Sequence, residues 1–342
     1  MTDAVPLVWV VLPTYDEAAN VERMLTTLLE VFDGNGIDGR VLVVDDGSPD
    51  GTADLAAAVG LRDVRVGVLR RTAKEGIGPA YRAGFREALA AGADRIVEMD
   101  CDFSHDPAAL PGLIAAADHA DLVIGSRYTA GGGVTHWGLT RRLVSRLGCL
   151  YARVILGVPV ADLTGGFKCF RREVLEAIPM QDISAAGYGF QVEMTYRAIR
   201  LGFRVVEVPI KNVPRETGAS HYGLSRTFRV MFDILTIRFL LKYFTRPMHF
   251  FGMIGLVGCS LGGLIMAYLT GYKLLGGEIV TAHGPLLIAG ALLLLGGMMM
   301  FSTGILGELI MRTYFESQGR RIYAVREIRE RKERQAARGG SR

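Results

Sequence analysis

"VEMDCDFSHDP" occupies residues 97–107. An apolar run ends there on two carboxylates, Asp100 and Asp102, one residue apart, before a short polar turn and Pro107. The pattern is that of a buried strand whose carboxyl end carries charge, and the chain repeats it. β-type apolar runs occur at "LVWVVL" (7–12), "RVLVV" (40–44), "VRVGVL" (64–69), "RIVEM" (95–99), "DLVIG" (121–125) and "RVVEVPI" (204–210). Helical periodicity fills gaps between them, as in "EAANVERMLTTLLEVF" (17–32) and "PAYRAGFREALAAG" (79–92). Strands alternating with helices predict the α/β class, with a largely parallel sheet covered on both faces. On such sheets ligands sit at the carboxyl ends of the strands.

Polar residues collect at those ends. The first run closes on "PTYDE", with Pro13, Tyr15, Asp16 and Glu17. The second closes on "DDGSPDGT", with Asp45, Asp46, Ser48 and Asp50. The fourth closes on "DCD" and the fifth on "GSR", with Ser126 and Arg127. "SPDGT" taken alone is helix-capping chemistry, Ser48 or Asp50 satisfying free N–H groups. "PTYDE" alone fits a turn before a helix, and a lone DxD is a weak signal. Four strand ends converging on one cleft say more. Two carboxylates on one turn suit a hard divalent cation, Mg²⁺ or Mn²⁺, which takes oxygen ligands and leaves room for phosphates. Such an ion neutralises a diphosphate leaving group. Asp46 or Glu17 can accept hydrogen bonds from a ribose or a base edge, and Tyr15 offers a ring face. No Walker A loop is present and no GxGxxG follows the first strand, which disfavours a P-loop kinase and a dinucleotide dehydrogenase. A receiver-type domain would be much shorter.

Half of the 342 residues are hydrophobic. Mean hydropathy is positive, high for a purely soluble protein. Four cysteines (Cys101, Cys149, Cys169, Cys259) form no CxxC pair and read as reduced and structural. Met1–Pro6 carries Asp3 and no basic n-region, so no secretory leader is expected. The formal net charge of +4 is modest, and no nucleic-acid partner is expected. The composition shifts near residue 246. "FFGMIGLVGCSLGGLIMAYLTGY" (250–272) and "GPLLIAGALLLLGGMMMFSTGILG" (284–307) contain no charged residue. Each exceeds the roughly 20 residues that span a hydrocarbon layer. The alternative is a pair of buried helices in a large soluble core. Arg238, Lys242 and Arg246 flank one end, and Arg312, Arg320 and Arg321 the other. The positive-inside rule therefore predicts an integral membrane protein with its large N-terminal region and C-terminus in the cytoplasm. Gly258 and Gly262 would allow close helix contact or a homo-oligomer. The segment "YGLSRTFRVMFDILTIRFLLKYFTR" (222–246) interleaves apolar residues with Arg226, Arg229, Arg238 and Lys242. It reads as an amphipathic helix at the membrane surface or as one packed on the globular region. The tail "REIRERKERQAARGGSR" (326–342) is a charge run, expected as a frayed solvated helix.

The ordered set PTYDE, VVDDGSPDGT, MDCDFSHDP, VIGSRYTAGGGV, ADLTGGFKCFRR, GYGFQVEM and EVPI resembles family 2 glycosyltransferases of the GT-A fold, a Rossmann-like, mostly parallel sheet. Within them it is similar to the polyprenyl-phosphate hexosyltransferases, the dolichol-phosphate mannose synthases most of all. The resemblance covers residues 7–225. It implies division into a GT-A domain (1–221), an amphipathic interface region (222–246), two transmembrane helices (247–312) and a charged tail (313–342). It also implies a nucleotide-sugar donor, GDP-mannose or UDP-glucose, and a polyprenyl monophosphate acceptor. "DFSHDP" and "GYGFQVEM" look most like the mannose synthases, whereas the two-span tail resembles bacterial members that glucosylate polyprenyl phosphate.

Matched motif by motif, Pro13, Tyr15, Glu17, Val44 and Asp46 would contact the nucleotide. Asp100, Cys101 and Asp102 would flank the diphosphate, with Asp102 the direct metal ligand, Asp100 beside it and Ser104 where some relatives carry a further ligand. Arg127, Arg141 and Ser145 would hold the lipid phosphate. Arg215 would close on the donor diphosphate, and His221 stands where the family usually has lysine. Glu75 likewise stands where relatives often have lysine. The resemblance implies catalysis by Asp102, Arg127, Arg141 and Arg215, without a strong general base and with inversion at the sugar. His105 reads as a turn residue beside Pro107, a catalytic part being the alternative. A processive polysaccharide synthase of the same fold would carry a QxxRW signature, which is absent from the sequence. A membrane-tethered sugar-nucleotide sensor is the rival from another class, and a flippase is disfavoured by having only two spans.

Overall fold

The computed structural model describes residues 5–135, 138–183, 188–213, 231, 232, 234–236, 238, 239 and 247–317. Arg215, His221, most of 222–246 and the tail 326–342 lie outside the described residues. The chain divides into two compact units, Met1–Arg238 and Phe239–Arg342.

The strands of the first unit are β1 (Val8–Thr14), β2 (Gly39–Asp45), β3 (Val66–Arg70), β4 (Arg95–Glu98), β5 (Leu122–Ser126), β6 (Gly133–Val134), β7 (Lys168–Arg171), β8 (Val205–Pro209) and β9 (Lys211–Asn212). Seven form one sheet in the order β3-β2-β1-β4-β7-β5-β8, and β6 pairs with β9. All neighbours in the large sheet run parallel except β7, which is antiparallel to both β4 and β5. The helices are α1 (Ala18–Asn35), α2 (Thr52–Gly60), α3 (Ile77–Ala90), α4 (Leu110–Ala116), α5 (Leu139–Leu156), α6 (Arg172–Ala177) and α7 (Tyr188–Arg200).

The apolar runs form strands because both of their faces are covered. Val8, Val10, Val11 and Leu12 are all at most 1% exposed, as a continuous rather than alternating run requires. One face packs under α1, whose Val21, Met24, Leu25, Leu28 and Phe32 recur at helical spacing and join Val10, Leu12, Val41 and Val43 in one core. α1 stops at Gly36, which takes the left-handed conformation (φ 64°) and donates its N–H to Phe32 O. The other face meets α3 at Gly84. A Cβ there would stand 2.4 Å from Val11 Cγ1 and 3.1 Å from Val44 Cγ2, so only glycine lets the helix lie this close.

In the second unit, α8 (Pro247–Leu274) and α9 (Ile279–Ser317) pack against each other. α9 is kinked near its start, where His283 leaves helical geometry two residues before Pro285. The contact is made by glycines. A Cβ at Gly255 would fall 2.7 Å from Gly297 O, one at Gly262 2.8 Å from Gly290 O, and one at Gly297 2.6 Å from Cys259 N. Pro247–Leu274 and His283–Thr313 have a mean hydropathy of 2.0 and are long and apolar enough to cross a membrane. Their apolar windows are only 17% and 11% buried, and Met253, Leu264, Leu292 and Met299 turn outward. A pair of helices in a soluble core would bury those side chains.

Replacing Gly84 by alanine should force α3 off β1 and cost about 1–3 kcal/mol by overpacking. A thermal melt of the Gly84→Ala protein that overlays the parent would contradict this packing.

Candidate active site at the sheet rim

β1, β2, β4 and β5 all end at one rim because they are parallel. β7 runs the opposite way, so the loop before it, Asp162–Phe167, arrives at that same rim. The polar strand ends and the TGG turn (164–166) are thereby brought together.

The loop after β2 caps the helix after β1. Asp16 N–H donates to Ser48 Oγ (3.1 Å), Glu17 N–H to Thr52 Oγ1 (3.0 Å) and Ala18 N–H to Asp50 Oδ2 (2.9 Å). The capping chemistry of "SPDGT" is therefore spent largely on α1. Asp50 Oδ1 also takes the Thr52 N–H at the start of α2. Asp45 is structural as well, accepting from Thr14 Oγ1, Ser48 Oγ and the Ser48 N–H. Asp46 accepts from Arg71 Nη1 at 2.5 Å, and Arg71 also pairs with Glu75. Lys74 Nζ lies 3.5 Å from the centre of the Tyr15 ring. Pro13 and Val44 are register partners, and Val44 is buried against α3 rather than open to the rim. Arg71 and Lys74 had no role in the motif reading. Their signal was the basic run "RRTAKE" after β3.

The turn after β4 is held from several sides. Asp102, 3% exposed, accepts the Ser104 N–H at 3.0 Å. Asp100 is half-buried, and the Tyr81 hydroxyl lies 3.4 Å from its Oδ1. Asp106 caps the short turn at Pro107. Phe103 adopts φ +57°, an outlier for a bulky side chain, and the Arg23 guanidinium covers its ring at 3.9 Å. His105 is buried, stacked on Phe167 at 5.3 Å, and its Nδ1 accepts from the Asp100 N–H at 3.4 Å. These contacts make His105 a brace for the turn. The Cys101 side chain belongs to the hydrophobic core, and burial holds its thiol well above the ordinary range.

Beneath the turn, Glu98 and Lys168 face each other at 3.5 Å, both fully buried. Lys168 Nζ also donates to Gln191 O and Oε1 at 2.8 Å each. Burial pushes Glu98 up to about 7 against the pull of Lys168. Gln191, His105 and Asp100 all come within 4 Å of where a Cβ on Gly166 would stand, which ties the TGG turn to the acidic turn.

Among the described residues, no three His, Cys, Asp or Glu side chains gather as a metal cage. Asp100 and Asp102 on one turn form instead the kind of oxygen pair that a divalent cation shares with substrate phosphates. The donor set fits that hard ion. Ser104 stands in the same turn.

The fourth group lies at the end of β5. Arg127 is clamped by Asp162: Nε donates to Oδ2 at 2.7 Å, Nη2 to Oδ1 at 2.6 Å, and the Arg127 N–H to Oδ2 at 3.0 Å. Thr164 Oγ1 takes a further Nη2 bond at 3.0 Å. Burial would raise the Asp162 pKa, but Arg127 holds it below the usual carboxylate range. Burial would weaken the Arg127 charge, and Asp162 more than offsets this. Ser145 of α5 reaches the same place, accepting from the Tyr128 hydroxyl at 2.6 Å. Arg141 lies in the first turn of α5, with its side chain outside the described residues. Asp162 and Thr164 fall within the motif ADLTGGFKCFRR but had no individual role assigned to them, since only the fold brings residue 162 to residue 127.

A family model described as glycosyl transferase family 2 matches residues 9–178. The chain is 47% identical over 210 residues to the undecaprenyl-phosphate mannosyltransferase of Micrococcus luteus, covering 61% of this chain and 85% of that protein. It is 44% identical over 227 residues to the polyprenol monophosphomannose synthase of Mycolicibacterium smegmatis, covering 66% and 84%. A crystal structure of glucosyl-3-phosphoglycerate synthase from Mycobacterium tuberculosis, in complex with Mn²⁺, UDP and glucosyl-3-phosphoglycerate, is similar with a TM-score of 0.50 at 24% identity. That likeness covers 68% of this chain and 79% of the other and shows the common fold.

Asp162→Ala should strand a buried guanidinium and destabilise the catalytic unit by about 3–5 kcal/mol at neutral pH. Because the folded pKa of Asp162 lies below its unfolded value, the contribution is complete above about pH 4 and fades as pH falls through the depressed value. Denaturation at pH 7 and in acid should therefore show a gap between parent and variant that narrows in acid. Equal stability at pH 7 would overturn the pairing.

Proposed function

This chain belongs to glycosyl transferase family 2, and we propose on that premise that it transfers mannose from GDP-mannose to a polyprenyl monophosphate at the cytoplasmic face of a membrane. It is a glycosyltransferase; the choice of sugar and acceptor is supported above all by two relatives, both named for joining mannose to a polyprenyl phosphate. The two long apolar helices anchor the chain where such a lipid resides, with the catalytic unit and C-terminus cytoplasmic.

Each half of the rim then has a task. Pro13, Tyr15, Glu17 and Asp46 line the nucleotide side, with Val44 packed behind them against α3. Asp100 and Asp102 would hold a divalent cation, with Ser104 as an additional oxygen and the Cys101 main chain alongside. Bound there, Mg²⁺ or Mn²⁺ would take up negative charge from the diphosphate leaving group. Arg215 and His221, which lie outside the described residues, are proposed as further contacts of that diphosphate. Arg127, Arg141 and Ser145 receive the lipid phosphate, Arg127 being held at a set angle by Asp162.

The acceptor oxygen is anionic at neutral pH and needs placement more than deprotonation. It attacks the anomeric carbon as the bond to the nucleoside diphosphate breaks, and GDP departs. One displacement inverts the anomeric centre.

Membranes carrying the protein, incubated with labelled GDP-mannose or UDP-glucose and Mg²⁺, should yield lipid-extractable label from GDP-mannose. Label from UDP-glucose alone would overturn the sugar, and saturable nucleotide binding without lipid product would point to a sensor. Asp102→Ala should cut turnover by at least about 10²-fold with the protein still folded. Near-normal activity in that variant would remove the metal assignment. A retained anomeric configuration in the product would reject single displacement.

A further inference from the structure

Asp162 aims the fork of Arg127, and Asp162 is itself held from behind. Consecutive main-chain groups of its loop donate to one side chain: the Ala161 N–H to Glu207 Oε2 and the Asp162 N–H to Glu207 Oε1, each at 2.9 Å. Glu207 is half-buried in β8, the last strand of the sheet order. Its register partner is Ile124 of β5, three residues before Arg127. A carboxylate on an outer strand ordinarily turns to water. This one spends both oxygens on two successive N–H groups, the arrangement by which main chain grips an anion.

We infer that Glu207 is a positioning residue for the acceptor half of the site. It fixes residues 161–162, which set the Asp162 carboxylate, which sets the plane of the Arg127 guanidinium. The inference rests on the reading above that Arg127 meets the acceptor phosphate. The residue type matters. A glutamine offers one acceptor oxygen and one NH₂ group, so it can satisfy one N–H and must oppose the other. The path runs from a strand that carries none of the site's own charges, through main chain, to the phosphate-facing cation. The donor half has braces of its own in Asp45, Ser48 and Asp50, and it meets the 161–166 loop through the Gly166 contact with His105 and Asp100. Loosening Glu207 should therefore weaken acceptor binding and spare the donor.

A second reporter is built into the cluster. Cys149 is 3% exposed, with Sγ 3.4 Å from Thr164 Oγ1 and 3.9 Å from Asp162 Oδ1. A loop released from Glu207 uncovers this thiol.

The test uses the full chain in membranes, with Glu207→Ala, Glu207→Gln, Arg127→Lys and the surface control Glu176→Ala. Glu207→Ala should raise the KM for polyprenyl phosphate about tenfold or more, because small misplacements of a positioning group are costly. The KM for GDP-mannose should stay within about twofold, and kcat at saturating lipid should change less than the acceptor KM. Alkylation of Cys149, mapped by mass spectrometry, should speed up in Glu207→Ala and not in Glu176→Ala. Where Glu207→Ala does not accumulate, Glu207→Gln keeps one of the two bonds and should show a rise of about threefold with the same selectivity. An acceptor KM at the parental value in the Glu207 variants, with Arg127→Lys impaired, overturns the inference and leaves the function standing. Equal rises in both KM values, or a Cys149 as protected as in the parent, overturn it too. Arg127→Lys at parental acceptor KM overturns the role of Arg127 and this inference with it.

Discussion

Parallel pairing of β1 with β2 on one side and β4 on the other is the constraint from which the site follows. Parallel strands must all finish at the same rim, so the loops after them have to share one space. Those loops carry Tyr15, Asp46, Asp100 and Asp102. Three negative charges and their neighbours could not be crowded there without compensation. Arg71 pairs with Asp46, Lys74 covers Tyr15, and main-chain N–H groups meet Asp45, Asp50 and Asp102. The turn after β4 is held in the same way, with the Ser104 N–H on Asp102 and the Tyr81 hydroxyl beside Asp100.

The reversed strand β7 supplies what parallel strands cannot. Its direction carries the preceding loop to the rim, and with it Asp162 and Gly166. Asp162 then takes both the main chain and the fork of Arg127. A guanidinium buried this deeply is tolerable only because a carboxylate meets it in bidentate geometry. The pair trades freedom for direction, since two bonds to one carboxylate fix the plane of the guanidinium. The strained Phe103, covered by Arg23, belongs to the same economy of fixed turns.

The alternation of apolar runs and amphipathic helices in the sequence was enough for the α/β class, because strands buried on both faces and helices buried on one leave different periodicities. β1 through β5 and β8 all fall on apolar runs, displaced by a residue or two at most ends. β7 was not legible as a strand. "KCFR" is four residues long and opens on a lysine, and only burial beside Glu98 makes that lysine compatible with a sheet interior. The acidic motifs were legible as a group, but not which acids do chemistry. Asp45, Asp50 and Asp102 each accept a main-chain N–H of their own turn, Asp106 caps one, and Asp100 meets the Tyr81 hydroxyl.

Composition and spacing by themselves determined the sheet class, the acidic strand ends, the arginine after β5 and two helices long enough to cross a bilayer. Each of these is a local property, written in periodicity or in a run of residues. Only tertiary structure decided which partner each charge takes: Asp162 for Arg127, Arg71 for Asp46, Glu207 for the loop at 161–162, Lys168 for Glu98. These partners all lie 25 to 70 positions apart along the chain. Contacts of that kind leave no periodic trace, because they depend on strand order and direction rather than on neighbouring residues.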